Sequence, residues 1–151
     1  MTLYSVFLFI HSIARWLVVI AGLLAAGKAL WGWLGKKEWT RMDERLGLVF
    51  IIGMDVQVAV GILLYIFFSP LTLAAFQNFG AAMRNADLRF WTLEHILMMI
   101  IALVLAHVGR ALAKKANDAA AKHKRLALFF TAAMLLVIIY IPWARPFFRL
   151  P

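Results

Sequence analysis

The chain has 151 residues, of which 65% are hydrophobic, and a mean hydropathy of +0.88. These values lie outside the range of soluble domains and suit one membrane domain. A net charge of +9 resides largely in connecting loops, a topogenic pattern in a membrane protein and not a nucleic-acid surface. The absence of cysteine excludes disulfides, thiolate metal sites and thiol catalysis.

Four apolar runs follow in chain order, at 3–31, 46–68, 90–111 and 126–144. Each approaches or exceeds the roughly 20 residues a helix needs to cross hydrocarbon. The expected fold is therefore all-α, a transmembrane four-helix up-down bundle with one domain over 1–151. The first run begins at Thr2 without a basic flank and is too long for a signal h-region, so it reads as a retained span. Between the second and third runs, 71–83 (LTLAAFQNFGAAM) reads equally as a short interfacial helix or as an ordinary loop over the bundle.

Loop charges give the expected orientation. The first loop and its flanks carry Lys28, Lys36, Lys37, Arg41 and Arg45, and the third carries Arg110, Lys114, Lys115, Lys122, Lys124 and Arg125. The second has only Arg84 and Arg89, so the positive-inside rule sets both termini outside, against the smaller pull of Arg145 and Arg149. Tyr4, Tyr65, Trp91, Tyr140 and Trp143 mark one interface, and Trp31, Trp33 and Trp39 the other. The expected location is a bacterial inner membrane.

Ionisable side chains inside these runs are the candidate site residues. A charge at the bilayer centre costs at least about 2.5 kcal/mol, so such groups turn inward and mark cofactor, proton or ion sites. The first and third spans run in the same direction and sit diagonally in an up-down bundle. His11 lies seven residues past Tyr4 and His95 four past Trp91. At 1.5 Å per residue these are roughly 10 and 6 Å below the belt, a difference helix tilt absorbs. Two imidazoles at such depths are what a haem gripped from both faces needs. Trp16, Phe7, Phe9 and Phe90 are candidate walls for a flat macrocycle. The competing reading is that each histidine only hydrogen-bonds across a helix interface.

Arg15 and Asp55 have matching depths, roughly 16 and 15 Å, and opposite charge, so an intramembrane ion pair is expected. It either fixes helix register or serves the site, Arg15 neutralising a haem propionate or quinone oxygen while Asp55 relays protons or itself acts as a ligand. His107 lies twelve positions beyond His95 and reads as a solvated cap beside Arg110. His123, within Lys122-His123-Lys124-Arg125, reads as loop charge, and Glu94 as a solvated or capping carboxylate. Met54, Met98 and Met99 read as packing.

Several stretches resemble a family of small four-span bacterial membrane proteins labelled cytochrome b-like. They are His11-Ser12 with Arg15-Trp16, Gly32-Trp33-Leu34-Gly35-Lys36-Lys37, Gly61 with Leu64-Tyr65, and Leu88-Arg89-Phe90-Trp91. Glu94-His95 with Met98-Met99-Ile100, Gly109-Arg110 and Lys122-His123-Lys124-Arg125 complete the set, which covers nearly the whole chain. The resemblance implies haem. One departure is that the family carries a histidine where this chain has Asp55, so any coordination role of that histidine is missing here. A looser similarity is to the four-span membrane protoporphyrinogen oxidases, which share an early histidine in the first helix and a basic residue ending the third.

The expectation is a membrane protein holding one b-type haem near its outer face, with His11 and His95 as axial ligands to the iron and Arg15 and Asp55 also at the cofactor. Quinone is a further possible ligand. An electron carrier or accessory subunit of a respiratory or photosynthetic complex follows, with membrane lipid and other redox subunits as partners and no nucleic acid. The alternatives are a cofactor-free scaffold subunit of a larger membrane complex and a porphyrinogen-oxidising haem-biosynthesis protein. Nothing resembles a nucleophile, a phosphate loop or a hydride-transfer fold.

Overall fold

The structure, a computed structural model, describes residues 2–144; Arg145 and Arg149 lie outside the described residues. The chain folds as an all-α bundle, without strands among the described residues. Four helical stretches are long and apolar enough to cross a membrane, Leu3–Leu34, Arg41–Phe68, Ala86–Lys114 and Ala119–Tyr140. These make it a multi-pass membrane protein by length and composition.

Most helices begin where a side chain satisfies the first free amides. Helix α1 (Leu3–Leu34) starts at a capping box between Thr2 and Ser5, and α2 (Arg41–Leu63) at one between Thr40 and Asp43. The second box carries α2 about a turn beyond its apolar run, with Asp43 and Glu44 favourably placed in the first turn. A π-helical turn, Leu64–Phe68, then leads to three short helices, α3 (Pro70–Gln77), α4 (Phe79–Arg84) and α5 (Ala86–Arg89). The 71–83 segment is thus helical, but broken at Asn78, whose side chain caps α4 by accepting from the Ala81 amide. A second π-helical turn, Phe90–Glu94, runs into α6 (His95–Lys114). Asp118 caps α7 (Ala119–Tyr140), which ends as Ile141 turns extended before Pro142.

Helix α1 packs on α2 and α7, and α6 packs closely on α7 and more lightly on α2. The ring order is therefore α1, α2, α6, α7, with α1 and α6 across the diagonal as the up-down reading requires. Small residues let the helices meet. A β-carbon at Gly22 would run into Met134 Sδ and Phe50, and one at Gly109 into Phe129. Ala25, Ala26 and Ala29 of α1 and Ala102, Ala106 and Ala113 of α6 are buried beside them. Phe50 and Phe130 meet edge to face at 5.0 Å in the centre. Leu17, Ile20, Leu23, Leu24, Val104, Leu135 and Ile139 all face outward. That exposure suits acyl chains, which are as apolar as leucine, whereas soluble monomers rarely carry such large apolar patches.

His123 corrects the sequence reading. Because α7 starts at Ala119, His123 falls on the helix and not in a loop, and it is fully buried. Its ring lies 5.0 Å from Trp39, Nε2 donates to the Glu38 carbonyl over 3.4 Å, and Nδ1 is 4.0 Å from Asp43 Oδ1. Gly32 makes the room, since a β-carbon there would overlap the imidazole. Asp43 is itself held by Lys28 at 3.1 Å and by Thr40. The cluster locks α1, α2 and α7 together at the basic end.

Candidate functional site: an apolar cavity among four helices

A cleft enclosing about 1230 Å³, its open mouth included, lies at the end of the bundle opposite the basic loops. Its walls come from α1, α2, α3, α6 and the end of α7, joined by the two π-helical turns. His11, Arg15 and His95 all line it, with Ser12, Gln57, Tyr65 and Trp91. Leu8, Val18, Met54, Val58, Ile96, Met99 and Val137 make most of the remaining surface apolar. An apolar cavity with a few convergent polar groups is the usual form of a small-molecule or cofactor site.

The two histidines are held differently. His95 begins α6, and its Nδ1–H donates to the Tyr140 carbonyl at 2.9 Å. That carbonyl belongs to the last residue of α7, where helix ends leave acceptors unused. The bond fixes the ring and its tautomer and leaves Nε2 as the nitrogen for the cavity, the same backing that metal-bound imidazoles receive. The ring is also flanked by Phe90 and Trp91 at 5.7 and 5.8 Å. His11 leans instead on α2. The Gln57 side-chain amide donates to its Nε2 at 3.2 Å, and its buried Nδ1 has no hydrogen-bond partner. Gly61, one turn along from Gln57, provides the space: a β-carbon there would sit 3.1 Å from His11 Cε1.

Arg15 follows His11 by one turn, which brings both to the same wall, and its guanidinium lies 5.2 Å from the Trp16 ring. The π-helical turns add hydroxyls to the structure. Tyr65 donates to the Thr92 carbonyl at 2.7 Å, and Thr72 to the Tyr65 carbonyl at 2.7 Å. Both bonds satisfy backbone acceptors that the widened turns would otherwise leave bare in an apolar setting.

Asp55 is not at this site, and the expected Arg15–Asp55 pair does not form. Asp55 precedes Gln57 by two residues, which is about 200° round a helix, so one faces the cavity and the other faces away. Its Oδ1 lies 2.8 Å from His107 Nε2 on the outer surface between α2 and α6. His107 is correspondingly not a solvated cap beside Arg110. Glu94 forms a partly exposed ion pair with Arg89 at 2.7 Å and does not line the cavity.

The aromatic walls also differ from expectation. Phe7 stacks on Phe68 at 4.9 Å, Trp16 meets Trp143 edge-on, and neither lines the cleft; nor do Phe9 and Phe90. Tyr4, Tyr65 and Trp91, which mark the interface in the sequence, supply the aromatic lining instead. Gln57 is a cavity-lining polar residue that the sequence reading passed over, and its signal was a side-chain amide in an otherwise apolar run.

No protein-family model matches the chain, and neither a curated protein nor a solved structure matches it.

Proposed function

We propose that this protein is an integral-membrane electron-transfer protein, or an accessory subunit of a respiratory or photosynthetic complex, that holds one b-type haem in the cleft. The observation that carries this reading is the meeting of His11 and His95, from diagonally opposed helices, in one apolar cavity. His95 is already backed through Nδ1, which would orient its Nε2 to hold the group. His11 would be the second residue to hold the group, and the single neutral bond to Gln57 that it would give up is worth only about 1 kcal/mol net. Arg15 on the same wall answers a propionate. The group would supply one-electron chemistry when bound, and the chain would supply two imidazoles, a cation and a mostly apolar lining. The location proposed is a bacterial inner membrane, with the basic loops inside and both termini outside.

Protein purified from membranes of haem-replete cells is expected to show a Soret band that shifts on adding dithionite. His95→Ala and His11→Ala are each expected to abolish the bis-imidazole spectrum. A colourless protein that stays colourless on haem addition overturns the proposal. The bonds of His11 to Gln57 and His95 to Tyr140 favour a second reading, a cofactor-free subunit in which both histidines only tie adjacent helices. In that case the same substitutions lower stability and change no spectrum.

A further inference from the structure

Among the described residues, the Asp55–His107 pair is a polar cluster deep in the spans that belongs to neither the cavity nor the basic end. Asp55 sits midway along the stretch Arg41–Phe68, yet its side chain is 48% exposed and that of His107 49%. Ile52, Val56 and Val104 around them are exposed and apolar. Against acyl chains, Asp55 Oδ2 and His107 Nδ1, which have no partner among the described residues, would each face hydrocarbon at a cost of several kcal/mol. Something polar therefore covers this face.

We propose that the cover is a second copy of the chain, packed α2–α6 face to α2–α6 face about a two-fold axis along the membrane normal. A two-fold contact sets one patch against itself, which demands self-complementarity. A lone carboxylate fails that demand, whereas an adjacent acid and base meet it. The bond of 2.8 Å puts Asp55 and His107 at one depth, and copies inserted the same way are related only by operations that preserve depth. Asp55 accordingly meets the partner's His107, and four side chains close a ring of alternating acid and base. Within each protomer Nε2 donates to Oδ1; across the axis Nδ1 meets Oδ2 of the partner's Asp55, with one proton bridging each such contact. The α2–α6 seam is the most lightly packed of the four in the bundle. The inference stands independently of haem.

The chain has no cysteine, so single cysteines report position cleanly. Ala59 is exposed one turn beyond Asp55 on α2, and Ile139 is exposed on α7, away from the seam. Under copper-phenanthroline oxidation in native membranes, Ala59→Cys is expected to give a disulfide-linked dimer and Ile139→Cys none. Adding Asp55→Leu or His107→Leu to Ala59→Cys lowers the linked fraction roughly tenfold. These leucines face lipid in a monomer, so helicity by circular dichroism stays unchanged. The exchanged pair, Asp55→His with His107→Asp, keeps the ring and restores cross-linking. Native mass spectrometry of the wild type is expected to read two chains. A single-chain mass, a mass with a different polypeptide bound, or a dimer indifferent to both leucines overturns the proposal.

Discussion

Two neighbouring polar residues on one apolar helix, Asp55 and Gln57, end on opposite sides of it, and the uncharged one reaches the cavity. Sequence reasoning weighs charge heavily, because charge is dear in lipid, and so it chose Asp55 as the inward partner of Arg15. Helical geometry allows only one of the two to face in, and the cleft takes the amide, which costs less to bury than a carboxylate. The convergence of His11 and His95 on one cleft was legible because both are ionisable, at similar depth and on helices that must lie diagonally, and Arg15 follows His11 by one turn. Gln57→Leu leaves His11 with a bare ring nitrogen, so the thermal midpoint of haem-free protein is expected to fall by the equivalent of about 1–3 kcal/mol. Haem binding by the same variant is expected to persist, since His11 no longer has a bond to give up; a titration followed at the Soret band checks this. Gly61→Val works the other way. Its added atoms crowd His11 Cε1, where even a β-carbon stands at 3.1 Å, and push the ring off its seat. Loss or weakening of haem binding with helicity intact is the expected outcome.

At the scale of helices, the four spans were plain in the hydropathy, but their ends were not. Thr40 with Asp43, and Asp118, start α2 and α7 well before the apolar residues begin. That shift of about two turns moves His123 from a loop into the packed interior, where it meets Trp39 and Asp43. No periodicity announces the two π-helical turns either. They flank the cleft and place Tyr65 and Trp91 on its wall. Tyr65 OH donates to the carbonyl of Thr92, three residues before His95 in the second turn, so the hydroxyl positions the helix start that carries a proposed ligand. Tyr65→Phe is expected to lower the unfolding midpoint by the equivalent of about 1–3 kcal/mol, through an unsatisfied carbonyl. In haem-loaded protein it is also expected to shift the reduced optical spectrum, which a purely distant packing defect leaves alone.

For the whole molecule, the asymmetry between the two ends is physical as well as topogenic. At one end lysines lie over indole rings: Lys28 and Lys37 over Trp31 at 4.7 and 5.1 Å, Lys124 over Trp33 at 5.7 Å and Lys122 over Trp39 at 5.8 Å. Such pairs keep the charge near the interface while the ring and alkyl stem stay in the apolar layer. The opposite end carries the cleft, the short helices α3–α5 and far fewer cations. In the proposed orientation, which follows the positive-inside rule, the cleft would open toward the outer leaflet, where the proposed haem would meet an extracytoplasmic electron partner. Gln77 and Asn117 are exposed at the two ends, and no native cysteine competes for label. In intact spheroplasts a membrane-impermeant maleimide is expected to label Gln77→Cys, and to label Asn117→Cys only after permeabilisation. Labelling in the reverse order would put the cleft on the cytoplasmic side. The proposed haem would then exchange electrons with cytoplasmic partners, and the charge asymmetry would have to be explained by contacts other than insertion.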